Sequence, residues 1–351
     1  MKSMKKISKL FLIPLFGFVF ASLSGCSNSK KVKLTYGEVT YQEVHDINYA
    51  RLNRMIDNKE SFMLVVDPLG CGCYQRFINA SKDYIKNNHL VLYRILLSDF
   101  NGNSTHGIKI VEGYTSFSLF NKGEIQQSIV SNSEEDIMSK KEEFEKYISK
   151  YIEKPNIYLV KPDDLDVMYH SENKSLIYYA QNGCGDCNYL FKNFLIDYMR
   201  DSDKIMYCCD CDDIGVREFN ANHQLINPEA WTNFKDKYGL SNVNNPVYGY
   251  ATGFVPSFFV VSGTSESTTF HDGAVAYNDK VEDLVITRSY YSQDRLPNLK
   301  YNGNLPAIQG KTVTADEVEY GSWSHEAGRE AYTTRIKAFL DMYLPQVTYT
   351  F

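Results

Sequence analysis

Cys184-Gly185-Asp186-Cys187 follows the apolar run Leu176-Ile177-Tyr178-Tyr179-Ala180, and Val255-Pro256-Ser257 later opens a second apolar run, Phe258-Phe259-Val260-Val261. The first run reads as a strand, and the residues after the cysteines, up to Met199, read as a helix. Two thiols at a helix start are placed for exchange chemistry. The first sulfur sits beside backbone N–H groups that have no partner within the helix and beside the positive end of the helix dipole, both of which lower its pKa. The second is placed to resolve a mixed disulfide. Alone, a C-x-x-C is equally compatible with a structural disulfide or a metal site. The proline narrows this, because a proline opening a central strand is disfavoured unless its missing N–H faces a gap.

Strand, C-x-x-C, helix and a later Val-Pro at the head of a strand together resemble the thioredoxin superfamily. The resemblance implies that Cys184 attacks, that Cys187 is the buried resolving thiol, and that Pro256 is cis and faces the dithiol. It further implies that the backbone of Val255 pairs with the substrate. Asp186 is unusual for such a pair. A carboxylate between the cysteines disfavours the thiolate by like-charge repulsion and predicts a more reducing couple. Two alternatives stand beside this reading. Cys184 and Cys187 could form a structural disulfide in a protein-binding domain, or could hold zinc together with Cys208, Cys209 and Cys211.

The chain reads through one pattern twice. In the first half, Glu38–Val44 is strand-like, Tyr49–Asp57 helical, and Phe62–Val66 a buried strand. Tyr74–Asn87 is the next helix, Val91–Leu97 a strand, and Phe117–Phe120 with Ile125–Val130 a hairpin turning at Gly123. Glu134–Ile152 closes the unit as a helix. Lys154-Pro155 marks the boundary. The second half has a strand at Ile157–Val160, a helix starting near Pro162, the dithiol strand and its helix, a strand at Lys204–Cys209, and a helix at Glu229–Tyr238. The strand after Pro256 and a final helix at Trp323–Tyr343 complete it, with His271-Asp272-Gly273 read as a hairpin turn. Ser61 lies twelve residues before Cys73, and Ser175 twelve before Cys187, which suggests a duplication. The expected fold is α/β: two tandem thioredoxin-like domains, at 38–153 and 154–351, each a mixed sheet flanked by helices. The second carries insertions at Asp212–Asn227 and Ala274–Gly321.

Cys71-Gly72-Cys73 stands where the first half would carry its dithiol, one residue shorter. A bridge there strains against the narrow geometry of a disulfide, and strained bridges are easier to reduce. Thr115 stands where the proline would be. The half is therefore either a degenerate, structural or docking copy, which is the preferred reading, or a specialised second dithiol. Cys209 and Cys211 share one strand face and Cys208 the other, and all three are expected to behave chiefly as small buried hydrophobes.

The N-terminus predicts the compartment. Lys2, Lys5, Lys6 and Lys9 precede an apolar stretch, Leu10–Ala21, that is too short to span a bilayer and reads as a signal peptide over residues 1–25. Leu23-Ser24-Gly25-Cys26 resembles the bacterial lipobox, which implies cleavage before Cys26, its lipidation, and a polar tether over 26–37. The expected location is the extracytoplasmic face of the cell membrane, held through the lipid alone. Of eight cysteines, lipidation of Cys26 would leave an odd number, so at least one thiol lacks an intramolecular disulfide partner. The formal charge of −6 falls to −10 once the four signal lysines leave, which argues against nucleic acid as a partner. There is no phosphate-binding glycine loop, nucleophile elbow or metal-binding histidine pair, and no cofactor is expected. The expected partner is a protein bearing a disulfide or a thiol.

Overall fold

The computed structural model describes residues 31–131, 136–181, 184–220, 222, 224–241, 255–275, 307–308, 311–312 and 336–351. Residues 1–30, with the signal peptide and Cys26, lie outside the described residues, as does nearly all of the Ala274–Gly321 insertion and the first part of the expected final helix.

Two short strands come first: β1 (Val32–Lys33) and β2 (Tyr36–Glu38). The first half then runs β3 (His45–Asp46), α1 (Tyr49–Asp57), β4 (Phe62–Asp67), α2 (Gly72–Asn87), β5 (Leu92–Leu96), β6 (Ser116–Asn121), β7 (Glu124–Val130) and α3 (Lys141–Ile148). Its sheet has the order β3-β5-β4-β6-β7, the first three strands parallel and the last two antiparallel to their neighbours. β8 (Ile152–Glu153) pairs with β1.

The second half repeats the plan with β9 (Ile157–Leu159), α4 (Pro162–Tyr169), β10 (Ser175–Ala180), α5 (Gly185–Leu190), a π turn over Phe191–Leu195, α6 (Ile196–Asp201), β11 (Met206–Asp210), α7 (Pro228–Lys237), β12 (Ser257–Gly263) and β13 (Thr268–Val275). A helix over 336–343 follows. Its own five strands run β9-β11-β10-β12-β13. Counting strands within each half, both sheets have the order first, third, second, fourth, fifth. The chain is two tandem thioredoxin-like domains.

Local chemistry explains the elements. Asn48 caps α1 by accepting from the Arg51 N–H at 2.9 Å. Lys122 and Gly123 turn the β6–β7 hairpin at φ of 53° and 79°. β4, β10 and β12 are buried along their whole lengths because helices cover both faces, so they read as continuous apolar runs. Alternate residues feed opposite cores: Leu176 and Tyr178 pack with Phe191, Met199 and Phe339, whereas Ile177 and Tyr179 pack with Leu165, Trp231 and Phe234. Each such side chain contributes about 1.5–3 kcal/mol of burial.

Four expectations need correcting. Residues 31–37, read as part of a tether, form β1 and β2, and no strand runs over Glu38–Val44. β2 instead joins the sheet of the second half, parallel to β9, where it satisfies an otherwise open edge. Val32 and Leu34 are buried, and Tyr36 stacks on Phe191 at 5.3 Å. The closing helix of the first half is shorter than expected, Lys141–Ile148 after a 3-10 turn at Ile137–Ser139, with Ile152 already in β8. His271-Asp272-Gly273 is not a turn but lies within β13. There Val260 pairs with Asp272 and Val261 with Phe270, so His271 is the extra residue of a β-bulge.

Candidate functional site: the dithiol of the second half

β10 delivers the chain to Gln181, whose carbonyl accepts the Cys184 N–H at 3.0 Å. Cys184 is the N-cap of α5, with an extended backbone, and its Sγ accepts the Cys187 N–H at 3.3 Å. A sulfur thus takes the capping place usually filled by an oxygen. Cys184 is half-buried, while Cys187 is buried in the core beneath it.

The Val255–Pro256 bond is cis. β12 starts just after it and runs antiparallel to β10, with Ser257 opposite Tyr179. That register sets Val255 above the start of α5, and the Cys184 thiol donates to the Val255 carbonyl at 3.5 Å. The four residues singled out as the dithiol and its positioning pair, Cys184, Cys187, Val255 and Pro256, therefore meet at one end of one sheet. The expected cis geometry of Pro256 is present.

The first half builds the same corner differently. Cys71 caps α2 and accepts the Cys73 N–H at 3.1 Å. Cys71 and Cys73 are joined by a disulfide with their Cα atoms 5.1 Å apart. Thr115 precedes β6 and is fully buried against Cys73. Its N–H donates to the Cys73 Sγ at 3.3 Å, and its Oγ1 lies 3.2 Å from the same sulfur. The sheet registers refine the repeat. Val66 pairs with Ser116, five residues before Cys71, and Tyr179 pairs with Ser257, five residues before Cys184. The equivalence is therefore Cys71 with Cys184, rather than the match of second cysteines suggested by the serine spacing.

Cys208 lies in the core beside Cys187, and Cys209 and Cys211 lie in the core on the other side of the sheet. The five second-half cysteines do not converge, and among the described residues no cluster of three or more histidine, cysteine or acidic side chains is arranged to hold a metal. Cys208 does border a cavity of about 310 Å³ between the halves, lined also by His45, Arg51 and Arg54 from the first half and Lys161, Asp210 and Asp213 from the second. A small adjoining hollow brings Glu60, Arg51 and Asp210 to the flank of Cys187. Burial, then the carboxylates of Asp213 and Asp212, push Asp210 up to about 7. Burial also raises Glu60, with Arg51 opposing, and burial raises the Cys208 thiol. Sequence reasoning missed this charged group, because Arg51 and Glu60 carry no spacing signal that links them to Asp210 and Asp213.

No protein-family model matches the chain, and no curated protein matches it. Among solved structures it is similar to full-length ERdj5, at 10% identity and a TM-score of 0.24 over 66% of this chain and 30% of that one. It is similar to the zinc-bound form of human ERp44, at 9% identity and a TM-score of 0.23 over 66% of this chain and 52% of that one. The bb fragment of ERp72 gives 10% identity and a TM-score of 0.26 over 66% of this chain and 89% of that one. The match thus spans less than two thirds of ERdj5 and of ERp44. The thioredoxin-like fold is carried by the twice-repeated strand order and by the cis-proline beside the C-x-x-C, not by these similarities.

Proposed function

We propose that the protein is a thiol–disulfide oxidoreductase acting on protein partners through Cys184 and Cys187, anchored by lipid on Cys26 at the extracytoplasmic face of the membrane. The observation that carries the redox reading is the half-buried Cys184 Sγ at the head of α5, 3.5 Å from the carbonyl of Val255 and next to a cis-proline. In the reducing direction the Cys184 thiolate attacks one sulfur of a partner disulfide, and the other partner sulfur leaves as a thiolate. Cys187, deprotonated, then attacks the Cys184 sulfur, releasing the second partner thiolate and leaving Cys184–Cys187 oxidised. Two electrons pass to the partner, and the two protons lost by the cysteines end on its thiols. The main-chain groups of Val255 hold the partner backbone while Pro256, lacking an N–H, leaves the sulfur uncovered. The anchoring reading rests on the lysines, the short apolar stretch and Leu23-Ser24-Gly25-Cys26.

The test is trapping. Cys187→Ala should accumulate a mixed disulfide with the partner that reductant releases, and Cys184→Ala should accumulate none. A Cys184–Cys187 pair that stays inert to glutathione in the wild-type chain refutes the catalytic reading and leaves a binding protein with a structural bridge.

A further inference from the structure

Thr115 and Pro256 hold the same station, each preceding the strand residue that pairs five positions before the first cysteine of its half. A proline there offers no N–H. Thr115 offers two donors, and both are spent on one sulfur: its N–H at 3.3 Å and its hydroxyl at 3.2 Å from the Cys73 Sγ. Both residues are buried, at 0% and 1% exposure, so no water competes for that sulfur. A sulfur in a disulfide is a poor acceptor and a thiolate a strong one, so two donors aimed at it favour the state in which the bond is broken. Cys71, by contrast, is part-exposed at the helix start, where an incoming thiolate reaches it.

We propose that Cys71–Cys73 is a second redox site, one that oxidises a dithiol in a polypeptide, with Thr115 positioning and stabilising the Cys73 thiolate as it leaves. A partner thiolate attacks the Cys71 Sγ. The Cys71–Cys73 bond breaks, a partner–Cys71 disulfide forms, and Cys73 leaves as a thiolate held by Thr115. The second partner thiol, deprotonated, attacks the partner sulfur of that mixed disulfide, and Cys71 leaves in turn. The partner has lost two electrons and gained a disulfide. Cys71 and Cys73 have gained those electrons and take up the two protons the partner released. The bridge itself is the oxidant, so a single turnover needs no other. A polypeptide is favoured over a small thiol because Leu69, 61% exposed, and Tyr114, 43% exposed, adjoin Cys71 and Thr115 in the chain and offer apolar contact to neighbouring side chains of the partner.

The experiment uses the full chain carrying Cys184→Ala and Cys187→Ala, oxidised, mixed with a reduced synthetic peptide that has two cysteines flanked by apolar residues. Alkylation and mass spectrometry read the products. The expected result is two new thiols, mapped to Cys71 and Cys73, for each disulfide formed in the peptide. Thr115→Val should slow the reaction about tenfold, the cost of one hydrogen bond to a charged group, and Thr115→Ser should restore it. In chains that also carry Cys71→Ala, the ultraviolet thiolate absorbance of Cys73 should titrate at higher pH with Thr115→Val than with Thr115. No thiols at Cys71 and Cys73 overturns the site. An unchanged Cys73 titration overturns the role of Thr115, and reduced glutathione reacting as fast as the peptide overturns the polypeptide assignment.

Discussion

The Cys184 thiol and the Val255 carbonyl meet at 3.5 Å, although seventy-one residues separate them in the chain. The same carbonyl precedes the cis-proline, so the atom that meets the sulfur belongs to the peptide group fixed by Pro256. This relationship gives the Cys184 sulfur a defined ceiling.

If that ceiling positions partners, Pro256→Thr should disturb it, because it adds an N–H and a hydroxyl just after the Val255 carbonyl that meets Cys184. The expected effect is a slower exchange with partner disulfides, by about tenfold, because the added donors compete with the partner backbone. Stopped-flow reduction of a disulfide peptide measures it, with circular dichroism confirming that the variant folds.

Asp186, which stands between the two cysteines, is expected to make the couple more reducing. A carboxylate between two cysteines in the sequence disfavours the thiolate form of the pair, so Asp186→His should raise the reduction potential. Equilibration with a glutathione buffer reads the potential. An unchanged potential would sink this assignment.

Asp210 gives a pH signature to stability. Its folded pKa, pushed up to about 7, exceeds its ordinary value of 3.8, so the native state holds a proton that the unfolded chain has already lost between those limits. Stability therefore declines as pH rises from about 4 to about 7, by up to about 4 kcal/mol, and stays low above that range. Asp210→Asn keeps the Oδ1 that accepts the Asp212 and Asp213 N–H groups at 3.0 and 3.4 Å. The variant should be more stable than wild type at pH 8 and similar near pH 4 in urea titrations.

Gly37 lets β2 cross onto the second half. A Cβ there would lie 2.5 Å from the His89 carbonyl oxygen and 2.6 Å from the Tyr158 ring. Gly37→Ala should cost about 1–3 kcal/mol, seen as a lower urea midpoint. A wild-type midpoint would mean that β2 peels from β9 at little cost.

Much of this architecture is legible in the residues. Tyr49–Asp57 shows its helix through Leu52 and Met55 on one face and Asn48 at its cap, and the structure has a helix over those residues. The C-x-x-C and the Val-Pro were readable as a pair because each obeys a local rule: a helix start that exposes N–H groups, and a proline that a central strand rejects unless something lies beyond it. β2 was not legible as a strand of the second sheet. Its three residues carry no periodicity long enough to read, and its partner Ile157 is far along the chain. The cavity group of Arg51, Glu60, Asp210 and Asp213 was hidden for the same reason, since ordinary surface residues become a charged cluster only when two halves bring them together.

Periodicity, capping and proline chemistry act over a few residues, so most strands and helices, the repeat, and the pairing of a C-x-x-C with a later Val-Pro are readable in the chain. Which sulfur faces which group is set by the fold. It paired Cys184 with Val255, set Thr115 against Cys73, and aligned Cys71 with Cys184, because strand register is chosen by burial across a sheet and not by spacing along a chain.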